Sequence, residues 1–156
     1  MKILIFDLDD TLFDTSSQLD ETYKNLPNIR PFPETEEVLK QNNFKKVLVS
    51  RGNPQIQEEK INVLNIKQFF DDIVWCRKDE DKLSCFRSII NKYKANKQDI
   101  YVIGNRIDSE IRYGKMLGLR TIHFMHGKYA SLKPQNRFEI ADHRIKNLKQ
   151  ILDIIK

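Results

Sequence analysis

Two carboxylates two positions apart, Asp7 and Asp9, end an apolar run in Ile3-Leu4-Ile5-Phe6-Asp7-Leu8-Asp9-Asp10-Thr11-Leu12. One member of such a pair can be a nucleophile and metal ligand, and the other a general acid and base. A solvated turn also favours Asp, but an ordinary turn does not need an acid at the end of a buried strand. Ser50 stands in a similar place, directly after Val47-Leu48-Val49. Its hydroxyl and the backbone amides of Arg51, Gly52 and Asn53 can bind a phosphoryl group, because successive turn amides form an anion nest.

These residues need elements that hold them at one crevice. Lys2 to Phe6 reads as a strand buried on both faces, since it is a short and nearly continuous apolar run. Lys45–Ser50, Ile73–Trp75, Ile100–Gly104 and Thr121–Phe124 read as further strands. Helices are expected between them, over Glu34–Asn43, in the stretch after Asn53-Pro54 with Ile56, Lys60, Val63 and Leu64 on one face, over Lys82–Tyr93, and over Asp108–Leu117. A loop from His126 to Asp142 is expected to precede a last helix with Ile145, Leu148, Leu152 and Ile155 inward. Strands alternating with helices imply an α/β fold, a parallel sheet covered on both faces. In such a sheet, chemistry sits at the carboxyl ends of the strands.

Phe6-Asp7-Leu8-Asp9-Asp10-Thr11-Leu12 resembles the DxDxT signature, motif I of the haloacid dehalogenase (HAD) superfamily. Most members of that superfamily are magnesium-dependent phosphohydrolases working through an aspartyl phosphate. The resemblance runs from Lys2 to about Phe124. It implies a three-layer Rossmann-like fold with strand order 5-4-1-2-3, Asp7 as nucleophile, Asp9 as general acid and base, and Thr11 beside the substrate. Ser50 matches motif II, with Arg51 and Gly52 following it at the phosphoryl group. Motif III is a Lys at a helix start, which favours Lys82 over Lys78. Gly104-Asn105-Arg106-Ile107-Asp108-Ser109-Glu110 stands where motif IV commonly reads GDxxxxD. The spacing holds, but Asn105 replaces the first acid and Glu110 the last. The implied Mg2+ ligands are Asp7, the Asp9 backbone carbonyl and Asn105, with Glu110 and Asp108 behind them. Magnesium prefers hard oxygen ligands, and an Asn carbonyl is one, with one negative charge fewer. Asp9 argues against a dehalogenase, which needs no acid there.

The chain has 156 residues, simplest as one domain over 1–156. Residues 14–33, where HAD proteins can carry a large cap, are too short for a separate domain. Cys76 and Cys85 are too few for a disulfide framework and fit free thiols in a reducing compartment. The N-terminal apolar run is broken by Asp7 and lacks a cleavage site, and no run is long enough to span a bilayer, so a cytoplasmic protein is expected. His123, His126 and His143 fit no standard zinc spacing. The net charge of +5 admits phosphorylated substrates or nucleic acid, but a lysine-rich solvated surface explains it as well. Three readings follow. The first is a phosphatase for a phosphorylated small molecule, its site closed by loops or by a second subunit in a homo-oligomer. The second is a phosphatase for a nucleic-acid end or a phosphoprotein. The third is a non-catalytic binding protein on the same fold, for which Asn105 is the main support.

Overall fold

The computed structural model describes residues 1–156. Its centre is β1, Lys2–Phe6, every residue after Lys2 being buried. Side chains alternate across a strand, so β1 feeds two cores. Leu4 and Phe6 join one core with Leu48, Ile61, Tyr101, Ile103 and Ile122. Ile3 and Ile5 join the other with Val47, Val49, Phe86, Ile89 and Val102. A strand packed on both faces has no polar side to write into its sequence, which is why β1 reads as a plain apolar run.

In chain order, α1 (Thr15–Gln18) and α2 (Thr35–Leu39) follow β1. Then come β2 (Phe44–Arg51), α3 (Pro54–Val63), β3 (Asp72–Cys76), α4 (Asp81–Tyr93) and β4 (Ile100–Gly104). The chain ends with α5 (Arg112–Met116), β5 (Arg120–Phe124), β6 (His143–Ile145) and α6 (Gln150–Ile154). All neighbouring strands pair in parallel, in the order β3-β2-β1-β4-β5-β6. The five expected strands keep their expected order, and β6 extends the sheet beyond β5. The chain moves outward from β1 to β3, then restarts on the other side of β1 with β4. The crevice outside the ends of β1 and β4 is therefore the topological switch point.

Three expectations are corrected. Ile145 is not in the last helix but in β6, where Ile122 to Phe124 pair with His143 to Ile145. Asp142 fixes that strand's start by accepting from Thr121 N and Oγ1 at 2.8 and 3.1 Å. The helix expected over Asp108–Leu117 opens with a wide π turn, Ile107–Ile111, before α5 begins. Such turns concentrate at functional sites. Helix α2 stops at Leu39 rather than Asn43. Residues 14–33 run across α1 and a tight turn at Leu26–Asn28, tied back by Phe32 N–H donating to Leu12 O at 3.0 Å. No helix is long and apolar enough to cross a membrane.

Candidate active site

Asp7 leaves β1 with its amide still donating to Ile103 O at 3.0 Å, so its place is set by the sheet. Its side chain is buried among charged groups. Lys82 Nζ lies 3.4 Å from Asp7 Oδ1, 2.5 Å from Glu110 Oε1 and 4.0 Å from Asp79 Oδ1. Lys82 sits in the first turn of α4 and is 2% exposed; Lys78 is exposed. Burial alone would lower the Lys82 ammonium, but Asp7 and Glu110 outweigh it and hold it above its ordinary value. Asp7 is pushed well above the carboxylate range, first by burial and then by Glu110, with Lys82 opposing. One ammonium thus serves two buried carboxylates, and Glu110 has the closer share. The cluster is short of positive charge at Asp7.

The place for that charge is visible. One terminal atom of the Asn105 amide lies 3.2 Å from both the Asp9 carbonyl oxygen and Asp7 Oδ2. With the amide oxygen there, three oxygen acceptors converge as they would around a cation. With the NH2 there, it donates to both. All three donors are the hard oxygens Mg2+ takes, so the residues fit the ion. Asn105 is itself anchored from β5: its carbonyl lies 3.1 Å from His123 Nε2. A carbonyl only accepts, so Nε2 carries the proton. Burial holds that imidazole below its ordinary range.

Glu110 reaches the cluster because Gly104 has no side chain. A Cβ on Gly104 would stand 2.5 to 2.8 Å from Glu110 Cγ, Cβ and Cδ. Glu110 Oε2 also accepts from Arg106 N–H at 3.1 Å. Asp108, expected behind the metal, instead grips the Arg106 guanidinium with both oxygens at 3.0 Å. That guanidinium stacks 4.3 Å over Tyr129.

Two expected substrate contacts are corrected. Asp10 has φ +56°, which reverses the chain and turns Thr11 into the core. Thr11 is fully buried and its Oγ1 has no hydrogen-bond partner. Gly52 cannot offer its amide to an anion, because it donates to Cys76 O at 3.1 Å. Asn53 caps α3 by accepting from Gln55 N and Ile56 N. Ser50 is buried at the end of β2, next to Arg51, whose side chain lines the cleft.

The cleft has a volume of about 630 Å3 and gathers Asp7, Asp9, Lys60, Lys82, Asn105 and Arg106. Its outer walls come from residues 15–23, with Tyr23, and from the loop after β5, with Lys128 and Tyr129. Beside it, Asp10, Asp14 and His126 bring ligand atoms within 4.8 Å of one another. Both acids already accept from Ser16 and Ser17, and His126 Nε2 lies 3.0 Å from Asp14 Oδ1. This group ties the loop after β5 to α1.

The sequence reading missed Gln57 and Lys60. It placed Lys60 on one face of its helix with Ile56, Val63 and Leu64 but gave it no role. The buried face of α3 is Gln57, Lys60 and Ile61, with Leu64 at its end. A Gln and a Lys inside an otherwise apolar face, one turn after Ser50, were the available signal.

The family model for haloacid dehalogenase-like hydrolases matches residues 18–124, a span that holds Ser50, Lys82, Asn105 and Glu110. Among curated proteins, the chain is 29% identical over 123 residues to the glyceraldehyde 3-phosphate phosphatase of Pyrococcus furiosus, covering 76% of this chain and 50% of that protein. It is 28% identical over 143 residues to the protein of the same name from Methanocaldococcus jannaschii, covering 86% and 61%. The chain thus spans about half to three-fifths of these relatives' length. Among solved structures, a putative phosphatase from Clostridium difficile superposes with TM-score 0.81 at 15% identity, over 99% of this chain and 98% of that one. The L-2-haloacid dehalogenase of Xanthobacter autotrophicus gives 0.73 at 11% identity, over the same shares. These two likenesses show the fold. With the matched family model covering most of the chain, the protein belongs to the haloacid dehalogenase-like hydrolases.

Proposed function

We propose that the chain is a magnesium-dependent phosphohydrolase that cleaves a phosphate monoester through an aspartyl phosphate on Asp7. The observation that carries this is the convergence of Asp7 Oδ2, the Asp9 carbonyl and the Asn105 side chain beside the buried Lys82 ammonium. The ion would be held by those three oxygens and would supply positive charge against the phosphoryl group. A carboxylate oxygen of Asp7 attacks phosphorus, and the bond from phosphorus to the ester oxygen breaks with its electron pair on that oxygen. Asp9 gives the departing oxygen its proton. Asp9 then takes a proton from water, whose oxygen attacks phosphorus and releases Asp7 and inorganic phosphate. Lys82 screens Asp7 from Glu110 during the approach of the anionic substrate. Arg51 lines the cleft, and Ser50, buried beside it, would bind the phosphoryl group with it. Positioned charge of this kind supplies most of the catalysis in phosphoryl transfer.

The substrate class we infer is a small phosphorylated molecule, supported by the names of the curated relatives. Residues 1–156 are read as one domain, with 14–33 in the place of a cap, in a cytoplasmic setting. The rival is a binding protein, and Asn105 is the observation for it. Its NH2 group turned inward would satisfy Asp7 and Asp9 without any ion. Initial rates on p-nitrophenyl phosphate and on a panel of phosphorylated metabolites, with magnesium or with EDTA, separate the two. The proposal expects turnover that needs the metal. No phosphate release from any ester at any magnesium level would favour the binding protein.

A further inference from the structure

Helix α3 turns two polar side chains toward the cleft from one face, Gln57 and Lys60, 2% and 4% exposed. Lys60 Nζ lies 2.8 Å from Asp9 Oδ1. Its other close neighbours are aromatic, the rings of Phe13 and Tyr23 at 6.0 and 5.8 Å. Gln57 Nε2 lies 3.1 Å from Asp9 Oδ2, 2.8 Å from Ser50 Oγ and 3.3 Å from Arg51 O. Thr15 Oγ1 completes the set, donating to Asp9 Oδ1 at 3.0 Å. Stability alone does not account for the pair, because a buried ammonium facing a single carboxylate gains little over an apolar residue of its size.

We propose that Lys60 and Gln57 are positioning residues for the reaction: a clamp from α3 that fixes the Asp9 carboxylate and ties it, through Gln57, to the Ser50 hydroxyl. This rests on the phosphohydrolase reading and deepens it. Three donors on its two oxygens hold the Asp9 carboxyl in one orientation, the one from which it meets the leaving oxygen and then the attacking water. Gln57 acts on Ser50 in the same way. With Ser50 Oγ accepting from Gln57, its own proton is left to point at a phosphoryl oxygen. Two catalytic groups from different strands are thereby set by one helix face.

The test compares kcat/KM on p-nitrophenyl phosphate, whose leaving group needs little protonation, with that on an alkyl phosphate. Lys60→Met should lose about tenfold more on the alkyl ester, and Lys60→Arg should recover part of the loss. In an Asp9→Asn background, Lys60→Met should cost less than about threefold more, because the residue it positions is gone. Thermal melts give a readout free of turnover. Asp9→Asn strands a buried ammonium and should lower Tm, and adding Lys60→Met should raise it again. Equal losses on the two esters, or effects that simply add in both cycles, would overturn the positioning role alone. A wild-type protein inert toward both esters at every magnesium level overturns the phosphohydrolase reading, and the positioning role with it.

Discussion

Asn105 sits where motif IV of this family commonly has an acid, and its amide is the hinge of the account. As an oxygen ligand it completes a magnesium site with one negative charge fewer than an Asp would bring. We therefore expect half-saturation near about millimolar magnesium, worth roughly 4 kcal/mol of binding. Asn105→Asp should lower the magnesium concentration for half-maximal activity, read from a titration of both proteins. A shared midpoint would mean that residue 105 is not a ligand. Asp9→Asn should lower turnover about 10²–10⁴-fold, the usual worth of a positioned acid, with the smaller loss on p-nitrophenyl phosphate. An equal loss on an alkyl ester would give Asp9 another role. At this scale the sequence was informative wherever a residue ends a buried strand, since the sheet alone places Asp7, Ser50 and Asn105. It was misleading where backbone geometry intervenes. The left-handed Asp10 turns Thr11 away, β3 uses the Gly52 amide, and Arg106 takes Asp108. Gln57 was passed over because polar residues on a helix are usually solvated, and Lys60 was grouped with the apolar residues of its helix without a role.

The elements that present the site are held by a few close contacts. Gly104 ends β4 directly under Glu110, which cannot retreat because it holds Lys82 and the Arg106 amide. Gly104→Ala should cost about 1–3 kcal/mol as an overpacking change and should also disturb Lys82. A denaturant melt together with kcat reads both, and unchanged values would mean that Glu110 has room to move. At the far edge, Asp142 holds β6 to β5. Burial alone would push its carboxyl up, but the Lys115 ammonium and the Thr121 N–H and hydroxyl outweigh it and hold it low. A lowered carboxyl stabilises the fold above its unfolded value, near about pH 3.9, and the contribution fades as pH falls through the lowered value. Asp142→Asn should therefore cost on the order of 1 kcal/mol near neutrality, a value discounted for partial exposure. The difference from wild type should vanish below that window. A constant difference down to pH 2 would remove the charge from the explanation. Helix α1, strand β6 and the π turn were the elements the sequence reading lost. A three-residue edge strand is too short to show a period. The π turn keeps the apolar spacing of an α-helix while widening its backbone.

At the scale of the molecule, the parallel sheet creates one crevice, where the chain reverses direction between β1 and β4. The α/β class was readable because central strands are apolar throughout and helices alternate with them, whereas the order of five strands came only from the family resemblance. The shape of the cleft was not, because its walls come from residues 15–23 and 128–129, which carry no period. The net charge of +5 admits both substrate classes, and salt dependence separates them. For a small monoester, kcat/KM should fall with salt with a logarithmic slope of less than about one. A 5′-phosphorylated oligonucleotide cleaved with a slope of several would point to nucleic acid instead. The covalent step at Asp7 underlies all of these expectations, and it can be observed directly. Acid quenching during turnover of a ³²P-labelled ester should trap labelled protein whose phosphate is released by hydroxylamine. Asp7→Asn should abolish both that label and turnover. Full turnover by pure Asp7→Asn protein, or label that persists without Asp7, would contradict the account.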